Sequence, residues 1–228
     1  MKEHGKPTAA KRDGRKENAT ATQIALRAAG RRLFGSQGYE ATSLGALCAE
    51  AGVTTGALYH HFGDKKGLFA AVAEELDSGL VKVVAHAGSH ALVQGQDPWT
   101  AFLAGIDALL AAGADPGIRR IGLIDASAVL GTESWLAIRE RHGLGAMTQA
   151  ITGLQTLGLV SPGDPIRLAR IILGMLYGAL EALPGDSAKV PEALTETMQL
   201  VHTMLRSLCK ETPAKEKKNS RNTLQGDS

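Results

Sequence analysis

Cysteine is almost absent from this chain: Cys48 and Cys209 are the two in 228 residues. Both sit in segments with a helical pattern and no metal-ligand spacing. They read as reduced cytosolic thiols, which excludes a disulfide scaffold and a zinc-thiolate fold. Long apolar runs are missing too. No eighteen consecutive apolar residues occur, so no membrane-spanning helix is expected. The N-terminus is basic but lacks the apolar h-region of a secretory signal, and the expected location is cytoplasmic. Catalytic signatures are equally scarce. There is no G-x-S-x-G, no P-loop and no G-x-G-x-x-G in a strand-turn-helix setting. His86 and His90 stand at i, i+4, but no glutamate follows His86, so H-E-x-x-H is not met. No enzymatic activity, metal or cofactor is expected.

What is present is helical periodicity and an uneven charge. Apolar residues make up 44% of the chain, enough to bury a core, although aromatics are only 4%. The net charge of +2 hides a split: residues 1–66 carry eleven Lys/Arg against six Asp/Glu, and the remainder is slightly acidic. A basic N-terminal third on an acidic body suits a polyanionic partner, although basic tails are also common solubilising devices.

The chain is organised around residues 42–66. Leu44, Leu47, Cys48 and Ala51 repeat at helical spacing, and Gly52 follows where a helix-turn-helix needs positive φ. Thr54 or Thr55 can cap a second short helix whose inward residues are Leu58 and Phe62. Gly63 ends it, and Asp64 caps the next. The outward residues are hydroxyls, a tyrosine, two histidines and two lysines, groups that reach phosphates and base edges.

These residues carry a resemblance. Ala29, Leu33-Phe34, Gly38-Tyr39 and Ala41-Thr42-Ser43, then A-E-A-G-V-T-T-G-A-L-Y-H-H-F at 49–62 and D-K-K-x-L at 64–68, resemble the DNA-binding domain of the tetracycline-repressor (TetR) family. The resemblance implies an all-α fold: an N-terminal helix-turn-helix domain at 19–66 and a larger helical regulatory and dimerisation domain at 67–209. Residues 1–18 and 210–228 read as a disordered basic arm and a disordered tail. It also implies that Thr54, Thr55, Gly56 and Ala57 face the major groove. Tyr59, His60 and His61 would hold phosphates, with Thr42 or Ser43 contributing from the second helix and Lys65 from the fourth. The groove face at 54–57 has no Arg, Asn or Gln, so it cannot make strong bidentate base contacts. A zinc site at His60 and His61 is the rival reading, against which stands the lack of a further ligand at suitable spacing.

In the body the pattern predicts helices at about 65–87, 98–112, 118–130, 133–157, 165–183 and 191–208, with a loop at 89–97. Asp125 lies in an apolar helix and must be paired or protonated. It is either a polar anchor in a ligand cavity or a structural partner for Arg119, Arg120, Arg139 or His142. Phe102, Ile106, Ile121, Trp135 and His142 complete the candidate cavity, although residues such as Phe102 and Trp135 are more often core. Leu168, Ile172, Met175 and Leu176, with Leu194, Met198, Val201 and Leu205, suit a two-fold four-helix interface between protomers; an intrachain hairpin is the alternative. Gly174 and Gly178 would allow close helix approach, and Leu200 and Met204 line a second side. The implied function is a homodimeric repressor released from an inverted-repeat double-stranded DNA operator by a small apolar or amphipathic effector. The alternative is a dimeric small-molecule binder whose DNA role is lost or secondary.

Overall fold

A computed structural model describes residues 9–209, with side chains from residue 17 onward. Nine helices make up the described chain. They are α1 (Ala9–Gln37), α2 (Leu44–Ala51), α3 (Thr55–Phe62), α4 (Lys65–Val93), α5 (Pro98–Gly113), α6 (Pro116–Leu130), α7 (132–156), α8 (Pro165–Glu181) and α9 (Val190–Arg206). No single helix among them is long and apolar enough to cross a membrane.

Local chemistry sets the boundaries. Ser43, Thr54, Asp64, Asp97, Asp115 and Asp164 each accept a backbone N–H from the first turn of the helix they precede. Proline opens α5, α6 and α8, where its missing donor costs nothing. Gly52 ends α2 at φ 66°, the left-handed conformation that turns the chain into α3.

Two boundaries differ from the expectation. α1 begins at Ala9, so residues 9–18, read as an arm without regular structure, are helical. Ala, Lys, Arg and Glu there are strong helix formers, and adding turns to an existing helix is easy. Residues 1–8 and the expected tail at 210–228 lie outside the described residues. α4 runs on to Val93 rather than stopping near 87, because Ala91 buries against the body and keeps the last two turns in register.

α6 and α7 each contain a stretch of wide i→i+5 hydrogen bonding, at Arg120–Asp125 and Glu140–Leu144. Two apolar cores result. One joins the three-helix head (Leu26, Phe34, Leu47, Leu58) to Phe69, Val72 and Leu76 of α4 and to Ile121, Leu130, Trp135 and Ile138 of α6 and α7. The other fills the body among α5, α7, α8 and α9. Where α1 meets α6 two glycines face each other. A Cβ at Gly35 would lie 3.1 Å from the Gly117 Cα, so a larger residue would push the two backbones apart by a few tenths of an ångström.

Because head and body share one core, they should unfold together. Ile121→Ala, at a side chain 1% exposed, should cost roughly 2–5 kcal/mol. Urea titrations followed by far-UV circular dichroism and by tryptophan fluorescence should still coincide, and a separate head transition would contradict the shared core.

Candidate nucleic-acid interface and ligand cavity

The head presents one polar face. Leu58 is fully buried and Phe62 half-buried, which seats α3 on α1 and α4 and turns Thr54, Thr55, Gly56, Tyr59 and His60 outward. Ala57 is half-buried on the same edge. The Thr54 hydroxyl accepts the Ala57 N–H at 3.3 Å and stays exposed, as does Ser43 at the start of α2. His61 is half-buried, its Nδ1 3.4 Å from Gln23 Nε2 of α1.

Two expected contacts are placed differently. Thr42 is 1% exposed. Its hydroxyl donates to the Gly38 carbonyl at 2.7 Å and lies 3.3 Å from Gln37 Nε2, so it closes the α1–α2 loop and faces no solvent. Lys65 is half-buried. Its ammonium donates to the Tyr39 and Thr42 carbonyls at 3.0 and 3.1 Å and sits 4.1 Å above the Tyr39 ring. Two of its three N–H groups are thereby committed to the head itself, and Lys66, exposed beside it, is the freer cation.

The same loop is fastened to the body. Asp125, within the wide turn of α6, accepts the Tyr39 N–H at 2.9 Å. Asp125 thus has a structural partner, although it is a backbone amide of the head and not an arginine. Arg119 instead donates to the Leu183 and Pro184 carbonyls.

A cavity of about 520 Å³ lies among α4, α5, α7 and α8. Of the six candidate ligand residues, it is lined by Phe102 and Ile106. Ile121 and Trp135 belong to the joint core, which their adjacent apolar neighbours already explain. His142 faces the other way, 3.2 Å from Glu74, and borders a charged groove between α1 and α4. Asp77 and Tyr177 line the cavity and were not anticipated. Asp77 stands four residues after Ala73 and three before Leu80, on the inward stripe of α4, which is the signal that could have revealed it.

Asp77 is 7% exposed, and its Oδ2 has no hydrogen-bond partner. Burial pushes its carboxyl up to about 6, against the opposing pull of His142, Arg139 and the Gly143 N–H. Burial likewise raises the Tyr177 hydroxyl and lowers the Arg139 guanidinium, which stacks 3.2 Å from the Tyr177 ring centre.

The expected dimer seam is divided. Ile172, Leu176, Val201 and Leu205 are buried in the protomer's own core, because α8 and α9 pack that stripe against α5. Leu168, Met175, Leu194 and Met198 are half-buried beside it. Exposed instead are Ile171, Gly174 and Gly178 of α8 with Leu200 and Met204 of α9.

Residues 26–72 match the family model of bacterial regulatory proteins of the tetR family, and residues 99–208 match that of the tetracyclin repressor-like C-terminal domain. A crystal structure of a TetR-family transcriptional regulator from Pectobacterium atrosepticum is 33% identical. It superposes with a TM-score of 0.69 over 90% of this chain and 99% of that one. The chain belongs to the TetR family. HTH-type transcriptional repressor AcnR of Corynebacterium glutamicum is 39% identical over 70 residues, 30% of this TetR-family chain and 37% of AcnR, so the chain spans little more than a third of that relative. SmeT, the repressor of the Stenotrophomonas maltophilia multidrug efflux pump SmeDEF, shares the fold. It is 23% identical with a TM-score of 0.63, covering 83% of this chain and 91% of SmeT. SmeT is also known in complex with triclosan.

The Asp77 carboxyl yields a pH test. The folded protein holds this proton more tightly than the unfolded chain, whose Asp titrates at 3.8. Folding therefore takes up a proton between about pH 4 and 6, and this group's contribution to stability falls as pH rises across that window. Asp77→Asn removes the buried charge, so it should stabilise the protein above pH 7 by up to ~3 kcal/mol. The advantage should vanish near pH 4. Thermal melts from pH 4 to 8 check this; a variant less stable than the parent at pH 7.5 contradicts it.

Proposed function

We propose that the chain is a DNA-binding transcriptional repressor whose hold on its operator is relieved by a small apolar or amphipathic molecule. The observation that carries this reading is the α3 face. Thr54, Thr55, Gly56, Tyr59 and His60 stand outward on a short helix anchored from behind by Leu58, in a helix-turn-helix whose second helix is free to enter a major groove. Tyr59, His60 and Lys66 would meet phosphates, and the Ser43 end of α2 adds a helix N-terminus that favours an anion. Without Arg, Asn or Gln at 54–57, sequence preference would rest on hydroxyls, methyl packing and DNA shape.

The protein would act in the cytoplasm as a homodimer. The stripe of Ile171, Gly174, Gly178, Leu200 and Met204 supports a two-fold contact in which the glycines let helices approach. The two heads would then engage half-sites about 34–36 Å apart. The cavity supports the effector half of the reading, as does the triclosan complex of the similarly folded SmeT. α4 forms one wall of that cavity from Asp77 to Leu92 and grips the head through Lys65. An occupant that prefers a tilted α4 by ~100-fold, about 2.7 kcal/mol, would shift the head spacing enough to release DNA.

The test is binding to duplex DNA flanking the protein's own gene across a salt series. A steep linear fall of log affinity with log salt is expected from phosphate contacts. Flat or absent binding would overturn the reading in favour of a small-molecule binder that has lost its DNA role. Tyr59→Phe should weaken operator binding about tenfold, the effect of one hydrogen bond to a charged oxygen, with an unchanged melting temperature. Thr42→Ala should do the reverse, lowering stability with little direct effect on affinity per folded molecule.

A further inference from the structure

We propose that the cavity among α4, α5, α7 and α8 takes a lipophilic amine, its protonated nitrogen against Asp77 and its hydrocarbon body directed toward the Leu92 end. The inference rests on reading this cavity as the effector site. Asp77 is the one charged side chain among the described residues that line it, and the remaining lining is apolar except for Gln149 and Tyr177. Its Oδ2 is buried without a hydrogen-bond partner. A Cβ placed on Gly143 would lie 4.0 Å from each Asp77 carboxylate oxygen and 3.8 Å from the Tyr177 hydroxyl, so the three surround one polar corner.

The cations nearby are turned elsewhere. Arg139 is stacked on the Tyr177 ring and does not line the cavity, and His142 points to Glu74. An anionic ligand would bring a second negative charge against the Asp77 carboxylate in an apolar surrounding, which is strongly unfavourable. A plain hydrocarbon would leave Oδ2 without a partner. An ammonium supplies both the charge and the donor. The cavity's about 520 Å³ suits a small ligand. Asp77 and Leu92 are fifteen residues apart along α4, roughly 22 Å, so the space is elongated. Leu92 and Leu157, both more than half exposed, mark the open end.

The probes are n-decylamine, 1-decanol and decanoate, titrated calorimetrically into the full-length protein. The amine should bind about tenfold or more tightly than the alcohol, as a charge-assisted hydrogen bond implies, and decanoate should bind weakest. In Asp77→Asn the amine's advantage should disappear while the affinity for decanol stays within about a factor of two. Decanol or decanoate binding as tightly as the amine, or an amine preference that survives in Asp77→Asn, overturns the ammonium assignment and leaves the cavity as the effector site. Binding of none of the three overturns both. The wild-type series decides the question even if the variant fails to fold.

Discussion

Tyr39 is the residue on which the head hangs. Its N–H goes to Asp125 of the body, its carbonyl receives Lys65 of α4, and its ring packs on Phe34 and Phe69 with centroids 5.8 and 5.2 Å away. A single loop residue therefore satisfies three elements at once. If the bond to Asp125 is lost, the half-buried Tyr39 N–H goes without a partner, which is more costly than the bond's own net worth. That asymmetry holds the head in one orientation although the α1–α2 connection is only a loop.

The same economy runs along α4. Its first residue grips the head, its thirteenth is the carboxylate at the polar end of the cavity, and its later turns form the apolar wall. Between them Leu68, Phe69, Val72 and Leu76 are part of the joint core, so the segment connecting the two ends is tightly packed. Close-packed interiors transmit displacement instead of absorbing it. A shift at Asp77 has no soft layer to disappear into before it reaches Lys65.

Much of this was legible in the sequence, and what was not has identifiable causes. The head could be read because its signals are local: Ser43, Thr54 and Asp64 cap, Gly52 and Gly63 stop, and Leu47 and Leu58 keep helical period. Thr42 and Lys65 looked outward because exposure was inferred from residue type. Their actual partners, the carbonyls of residues 38, 39 and 42, are backbone groups that no pattern of side chains reveals. The body was harder. Its helices are apolar on more than one face, so periodicity located α8 and α9 but could not say which stripe turns inward; Ile172 and Val201 went to the core, Ile171 and Leu200 to the outside. Asp125 and Asp77 are both carboxylates in apolar helices. Which one meets the head and which the cavity depends on three-dimensional neighbours 86 residues away in the first case.

The two wide turns carry a consequence for chain length. Arg120–Asp125 holds the Tyr39 anchor, and Glu140–Leu144 brings Gly143 up to Asp77. Each such turn accommodates an extra residue inside a helix without rephasing the faces on either side. Removing one residue from either segment would restore ordinary winding and leave the flanking stripes aligned, whereas the same deletion elsewhere in α6 or α7 would rotate everything beyond it by about 100°. The two wide turns are therefore the positions where a one-residue change of length would be absorbed with the least disturbance to the rest of the fold.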